Sequence, residues 1–113
     1  MLTAVDMVSG TIRWQIPFGR FDPAAPSGSV SVGGPIVTAG GIVLIAGTSD
    51  PFMRAFDIET GKLLWQTKLP SSGHATPMTY QYKGKQYIVI AAGGHAHIDE
   101  EPQSDAIVAF TLP

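Results

Sequence analysis

Three side chains that could bind a ligand or transfer a proton lie far apart in the sequence but in similar local settings. Asp50 ends the segment GTSD, His74 lies in GHAT, and His95 ends the segment AGGH. Carboxylate and imidazole groups act as acids, bases and hydrogen-bonding groups. Each lies in a Gly-containing loop, and loops on a rigid scaffold commonly carry function. Whether the three form one site depends on the fold that positions them.

A second group of potential ligands follows directly. His97 and the acidic run 99–101 add an imidazole and three carboxylates beyond His95. These residue types bind metals, but their spacing matches no recognised zinc pattern. An acidic run of this kind also forms a solvated loop. We therefore predict no metal site in this chain and leave the roles of His97 and of residues 99–101 open.

The composition predicts a globular, strand-rich protein. The chain has 113 residues, of which 44% are hydrophobic and 14% charged, with 13 Gly, 9 Pro and no Cys. Frequent Gly and Pro favour turns between short strands. The net charge of −2 and the lack of a basic run argue against a nucleic acid partner. The first ten residues lack the basic and apolar regions of a signal peptide, and no apolar run is long enough to span a bilayer.

Two segments of the chain are nearly the same. Residues 4–15 read AVDMVSGTIRWQ and residues 55–66 read AFDIETGKLLWQ, which gives Ala-x-Asp-x-x-(Ser/Thr)-Gly-x-x-x-Trp-Gln twice. A separation of 51 residues between copies is typical of propellers and other repeat arrays. One such unit cannot bury its apolar face alone, so we expect neighbouring units to stack.

Each fixed residue of the repeat has a structural interpretation. The pattern places Asp6, Gly10 and Trp14 in one copy and Asp57, Gly61 and Trp65 in the other. The glycines suit a turn position with positive φ, and the aspartates can accept backbone N–H bonds across the turn. The tryptophans supply a large flat surface with one donor. We favour packing between repeats over ligand stacking as their role.

The chain as a whole is predicted to be all-β, a single partial β-propeller segment with about nine strands and no helix. Residues 2–19 form a half blade and residues 33–70 a full four-stranded blade. Residues 73–113 form a blade that lacks its last strand. In a propeller, the loops that follow the second and fourth strands of each blade emerge on the same face. Asp50, His74 and His95 should therefore lie on one rim.

The repeat, together with three longer segments, resembles the quinoprotein dehydrogenases. These segments are GGPIVTAGGIVLIAGTSDPFMRAFDIETGKLLWQTKLP (33–70), HATPMTYQYKGKQYIVIAAGGH (74–95) and DAIVAFTLP (105–113). They are similar to the C-terminal end of the membrane-type glucose/quinate/shikimate dehydrogenase branch. The resemblance implies an eight-bladed, periplasmic parent enzyme that uses pyrroloquinoline quinone (PQQ) with Ca²⁺ or Mg²⁺. This chain would supply its last two to three blades.

The resemblance also implies roles for two residues. His95 matches a histidine at the substrate and cofactor pocket of the glucose-type enzymes, and Asp50 matches an aspartate near the cofactor. The alternatives are an exposed loop histidine and a turn residue before Pro51. No role carries over to His74, because related enzymes usually have another residue there. The catalytic base and the metal ligands of the family have no counterpart in this chain.

We therefore expect a fragment of a PQQ-dependent dehydrogenase acting on a sugar or polyol. It would contribute part of the pocket rim and would not catalyse alone. The alternative is a non-catalytic propeller segment that acts in assembly or protein binding. In either case two to three blades leave apolar faces and strand edges uncovered. We expect the remaining blades or a homo-oligomer to cover them.

Overall fold

A computed structural model of the chain describes residues 1–19, 28–97 and 102–111. The described residues form nine β-strands: β1 Leu2–Val5, β2 Ile12–Ile16, β3 Ile36–Val37, β4 Ile42–Ile45, β5 Phe52–Asp57, β6 Leu63–Lys68, β7 Met78–Tyr82, β8 Lys85–Ala92 and β9 Ala106–Thr111. This part of the chain contains no helix long and apolar enough to cross a membrane. The acidic run 99–101 lies outside the described residues.

The strands form three antiparallel sheets in which chain neighbours pair with each other. The first sheet is β1-β2, the second is β3-β4-β5-β6 and the third is β7-β8-β9. Short turns connect most of the neighbouring strands, as expected from the many Gly-containing turns. Successive small antiparallel sheets are the building units of a propeller. The predicted fold class, an all-β partial β-propeller, is confirmed.

The two middle strands of the second sheet, β4 and β5, are buried on both faces because the other two sheets pack against them. Val43, Ile45 and Phe56 point to the first sheet, where they form a buried cluster with Phe18. The opposite face forms a larger cluster with the third sheet: Leu44, Ala46, Met53, Ala55, Leu69, Ile90 and Ala92. Side chains of a strand alternate between faces, so β4 and β5 supply both clusters. This explains the continuous apolar sequence of β4.

The two copies of the Asp-x-x-(Ser/Thr)-Gly pattern form the same turn. Asp57 Oδ1 accepts the backbone N–H groups of Glu59 (2.8 Å) and Thr60 (2.9 Å). Asp6 Oδ1 accepts two backbone N–H groups in the same way. These N–H donors favour the carboxylate form, so the pKa of each aspartate lies below its ordinary value of 3.8. The main donors are Ser9 for Asp6 and Thr60 for Asp57.

Trp14 docks the first sheet onto the second. Its Nε1–H donates to the carbonyl oxygen of Ile58 at 2.8 Å. The indole lies over Gly61, where a Cβ would be 2.8 Å from ring atoms Cδ2 and Cε3. Gly61 also has φ +72°, a conformation that L side chains rarely adopt. The glycine of one repeat is therefore required by the tryptophan of the other copy as well as by its own turn.

Trp65 lies at the equivalent place between the second and third sheets but is more exposed. It is 40% exposed, and its ring makes an edge contact with Phe110 at 5.4 Å between centroids. Beside it lies a cavity of about 460 Å³ whose lining includes Leu44, Ala55 and Ile88. Among the described residues, the third sheet has no turn equivalent to 57–61 to cover this indole. The cavity beside Trp65 is therefore an apolar recess between the second and third sheets, next to the end of β9.

Candidate functional site

A buried segment between β6 and β7 joins the two loops that carry Asp50 and His95. Ser72, which is fully buried, donates from Oγ to the carbonyl oxygen of Ser49 at 3.2 Å. Its own carbonyl oxygen accepts the N–H of Gly94 at 2.8 Å. Ser72 thus bridges the loop before Pro51 and the loop after β8. The two loops belong to successive sheets, and this bridge fixes them side by side.

The histidines meet at this junction. The rings of His74 and His95 make an edge contact with centroids 5.9 Å apart, and the rings of His95 and His97 lie 6.0 Å apart. Nδ1 of His74 lies 3.2 Å from the carbonyl oxygen of Val32. The backbone N–H of His97 donates to Nδ1 of His95 at 3.3 Å. The structure therefore brings His74 and His95 together, on segments 21 residues apart in sequence.

Asp50 has a different setting, since it forms a nearly buried ion pair with Arg54. The two carboxylate oxygens lie 3.0 and 2.6 Å from the guanidinium nitrogens. The exposed fractions of the two side chains are 9% for Arg54 and 14% for Asp50. Thr48 Oγ1 donates to Asp50 Oδ1 at 2.6 Å and accepts from Arg54 at 3.2 Å. This bidentate pair fixes the shape of the loop that precedes β5.

Two aromatic rings enclose the Arg54 guanidinium. Its central carbon lies 5.8 Å from the ring centroid of Phe18 and 5.5 Å from that of Phe52. Both distances are within the range of cation–π attraction. The ion pair is therefore sealed between the first sheet and the second. Its position explains why a charged residue is tolerated within a buried strand.

The described residues do not provide a metal centre. No group of three or more His, Cys, Asp or Glu side chains in residues 1–19, 28–97 and 102–111 is placed to hold a metal ion. The three histidines are neighbours only in pairs, at about 6 Å between rings. The donor set therefore does not fit a Ca²⁺ or Mg²⁺ site, which needs several oxygen ligands at one point.

Sequence reasoning missed Arg54 and Ser72. For Arg54 a signal was present, because an arginine inside the apolar strand FMRAF must be paired when it is buried, and Asp50 precedes it by four residues. For Ser72 there was none, since a serine between Pro70 and His74 is also typical of an ordinary loop. Both residues act on the loops that carry the predicted site residues.

Three stacked sheets joined by a docking tryptophan define a segment of a β-propeller. The family model described as "PQQ: Glucose/ethanol/alcohol dehydrogenase, beta-propeller domain" matches residues 1–88. The chain belongs to this family, as the sequence resemblance predicted.

Similar proteins agree with the family assignment. The chain is 43% identical to the glycerol dehydrogenase large subunit of Gluconobacter oxydans (strain 621H), over 100% of this chain and 17% of the relative. It is 39% identical to the quinoprotein glucose dehydrogenase of Escherichia coli (strain K12), over 99% of this chain and 15% of the relative. The chain thus spans less than a fifth of the length of these relatives.

Solved structures show the same fold. Quinohemoprotein alcohol dehydrogenase from Comamonas testosteroni superposes with a TM-score of 0.75 at 26% identity, covering 96% of this chain and 16% of that chain. A europium-containing methanol dehydrogenase superposes with a TM-score of 0.62 at 33% identity, covering 80% and 14% of the two chains. The predicted cofactor class, PQQ, is that of the family to which the chain belongs.

Proposed function

We propose that this chain is a segment of a PQQ-dependent dehydrogenase that oxidises a sugar or polyol, and that it forms part of the rim of the cofactor and substrate pocket. PQQ, when bound, accepts the electrons and hydrogen removed from the alcohol carbon. The protein segment binds and orients the reactants and excludes water. The catalytic base lies outside this chain in the proposal, and the segment is inactive alone.

The observation that supports this proposal is the position of His95. Its loop is bonded to Ser72 through Gly94, and Ser72 is bonded in turn to the loop of Asp50. The imidazole is partly exposed and packs against His74, at the junction of two successive sheets. An imidazole held there can donate a hydrogen bond to a hydroxyl, carboxylate or quinone oxygen. We propose it as a contact to both cofactor and substrate.

Asp50 contributes to the cofactor pocket in a different way. PQQ is an anion, and the oxygens of Asp50 are already held by Arg54 at 3.0 and 2.6 Å. Since like charges repel, a direct contact between this carboxylate and the cofactor is unfavourable. We therefore propose that Asp50 supports the cofactor pocket by fixing its loop. Neither residue is assigned a metal, because the described donor set does not fit one.

The test is PQQ binding, followed by quinone absorbance, in a PQQ-loaded protein that contains this segment. We expect His95→Ala to weaken cofactor binding or to raise KM by about tenfold, the value of one hydrogen bond of roughly 1.4 kcal/mol. Gln103→Ala, an exposed position on the loop after β8, is the matched control and should change neither. Undiminished binding and turnover in His95→Ala would contradict the proposal.

We also propose that further blades of the same parent protein cover the open side of the third sheet. β9 pairs with β8 and forms the edge of its sheet, whereas β5, its equivalent in the second sheet, pairs on both sides. The half-exposed Trp65 and the apolar recess beside it are suited to a docking repeat. A second copy of the chain is the alternative occupant.

The chain studied alone should therefore associate. Light scattering at increasing concentration should show oligomers, because an exposed strand edge and apolar face favour self-association. A stable, well-folded monomer at high concentration would contradict this expectation. We further propose a periplasmic location for the parent protein, on the basis of its family alone, which cell fractionation would test.

A further inference from the structure

The hydrogen bonds of His74 determine which of its ring nitrogens carries the proton. Nδ1 lies 3.2 Å from the carbonyl oxygen of Val32. A carbonyl oxygen can only accept, so Nδ1 must carry the hydrogen. In the neutral ring, Nε2 then carries the lone pair. The contact with Val32 thus fits the Nδ1–H tautomer of His74.

His95 is held in the opposite state. Its Nδ1 lies 3.3 Å from the backbone nitrogen of His97, which can only donate. This contact fits an Nδ1 of His95 that accepts a hydrogen bond, with the hydrogen of the neutral ring on Nε2. The two neighbouring imidazoles are consequently different chemical groups. In this tautomer His95 can donate a hydrogen bond through Nε2.

His74 has a rigid backbone from which to orient its neighbour. A Cβ placed on Gly33 would lie 3.0 Å from the carbonyl oxygen of His74, so the two backbones touch. The preceding Ser72 is fully buried. The ring of His74 is held at its Nδ1 and meets the ring of His95 at an interplanar angle of 77° with centroids 5.9 Å apart. Rotation of the His95 side chain is therefore limited by this contact.

We propose that His74 is a positioning residue for His95: its ring limits the rotation of the His95 side chain, so that the Nε2–H of His95 is aimed at an oxygen acceptor of the bound substrate or cofactor. The statement about ligand binding rests on the function proposed above. The statement about tautomers and ring position is independent of that function, because it follows from the contacts of His74 and His95 within this chain.

The first arm of the test is nitrogen NMR of the histidine rings in this chain at pH about 8, where an ordinary imidazole is neutral. Long-range proton–nitrogen correlations should show Nδ1–H for His74 and Nε2–H for His95. His74→Ala should broaden or shift the His95 ring signals, and His74→Phe should restore them in part, because it keeps a flat ring but loses the bond from Nδ1 to Val32. His97→Ala keeps the backbone N–H and should leave the His95 tautomer unchanged.

The second arm measures kinetics and cofactor affinity in a PQQ-loaded protein that contains this segment. If the oxygen acceptor belongs to the substrate, His74→Ala should raise KM for the alcohol about tenfold, with kcat less affected. If the acceptor belongs to the cofactor, His74→Ala should raise the Kd for PQQ instead. His74→Phe, which keeps a flat ring without the Nδ1 bond, should recover part of the loss.

The outcomes separate the two proposals. An Nδ1–H or averaged state for His95 would overturn its role as an Nε2–H donor, and unchanged His95 signals in His74→Ala would overturn the positioning role of His74. The expected tautomers together with unchanged KM and Kd in both His74→Ala and His95→Ala would overturn the assignment of His95 to the pocket. In that case the proposed function fails and the ring arrangement stands as a structural feature.

Discussion

Arg54→Met is expected to lower the free energy of unfolding by about 3–5 kcal/mol, the usual effect of removing one partner of a buried ion pair. The side chain of Arg54 is 9% exposed and makes both bonds of the bidentate pair with Asp50. Its loss leaves the carboxylate in a nearly buried place without that countercharge. It also removes the guanidinium between Phe18 and Phe52. Urea unfolding of the variant and the wild type would measure the difference.

Two control variants make this prediction specific. Arg13→Met removes an arginine that is also paired with two carboxylates, those of Asp6 and Glu59, but its side chain is 41% exposed. Exposed ion pairs contribute about 0–1 kcal/mol, so Arg13→Met should lower the free energy of unfolding only slightly. The double variant Asp50→Asn, Arg54→Met should recover part of the stability because it removes both charges. Equal effects of Arg54→Met and Arg13→Met would refute our interpretation of the buried pair.

Gly61→Ala should destabilise the protein by about 2–5 kcal/mol. A left-handed backbone conformation costs an L residue about 1–2 kcal/mol, and Gly61 has φ +72°. The added Cβ would also lie 2.8 Å from the Trp14 ring. Overpacking of this kind adds about 1–3 kcal/mol. The indole would have to move, which would weaken its hydrogen bond to Ile58.

Gly10→Ala is the matched control for this variant. Gly10 occupies the same turn position in the other repeat, with φ +70°, and has no atom within 4 Å of an added Cβ. It should therefore show the conformational cost of about 1–2 kcal/mol alone. The two changes can be compared by urea unfolding, with Trp fluorescence as a second signal that should change in Gly61→Ala. If the two variants were equally stable, the tryptophan would not be docked on Gly61.

The repeat allowed much of the fold to be predicted, because each of its fixed residues has a local role. The turn geometry of Asp57 and Gly61 depends on residues within five positions of each other, so sequence alone contains it. The alternation along β5 likewise assigns Met53 and Ala55 to one face and Phe56 to the other. Such short-range patterns are what single sequences express best.

The candidate site was less predictable, because its contacts join distant segments. The propeller topology predicts that Asp50, His74 and His95 lie on one rim, but it does not predict that Asp50 binds Arg54 or that His74 packs on His95. Those contacts depend on the exact approach of two loops joined by Ser72. No local pattern specifies such an approach. Thus the sequence could indicate which side chains share a region, and the structure shows how they are held there.

We propose that His95 lies at the rim of a PQQ pocket. The most direct test measures the affinity for PQQ and the KM in a PQQ-loaded protein that contains this segment. We predict a loss of about tenfold in one of these quantities for His95→Ala, with Gln103→Ala unchanged. Wild-type affinity and turnover in His95→Ala would contradict the account and leave this chain as a purely structural part of its propeller.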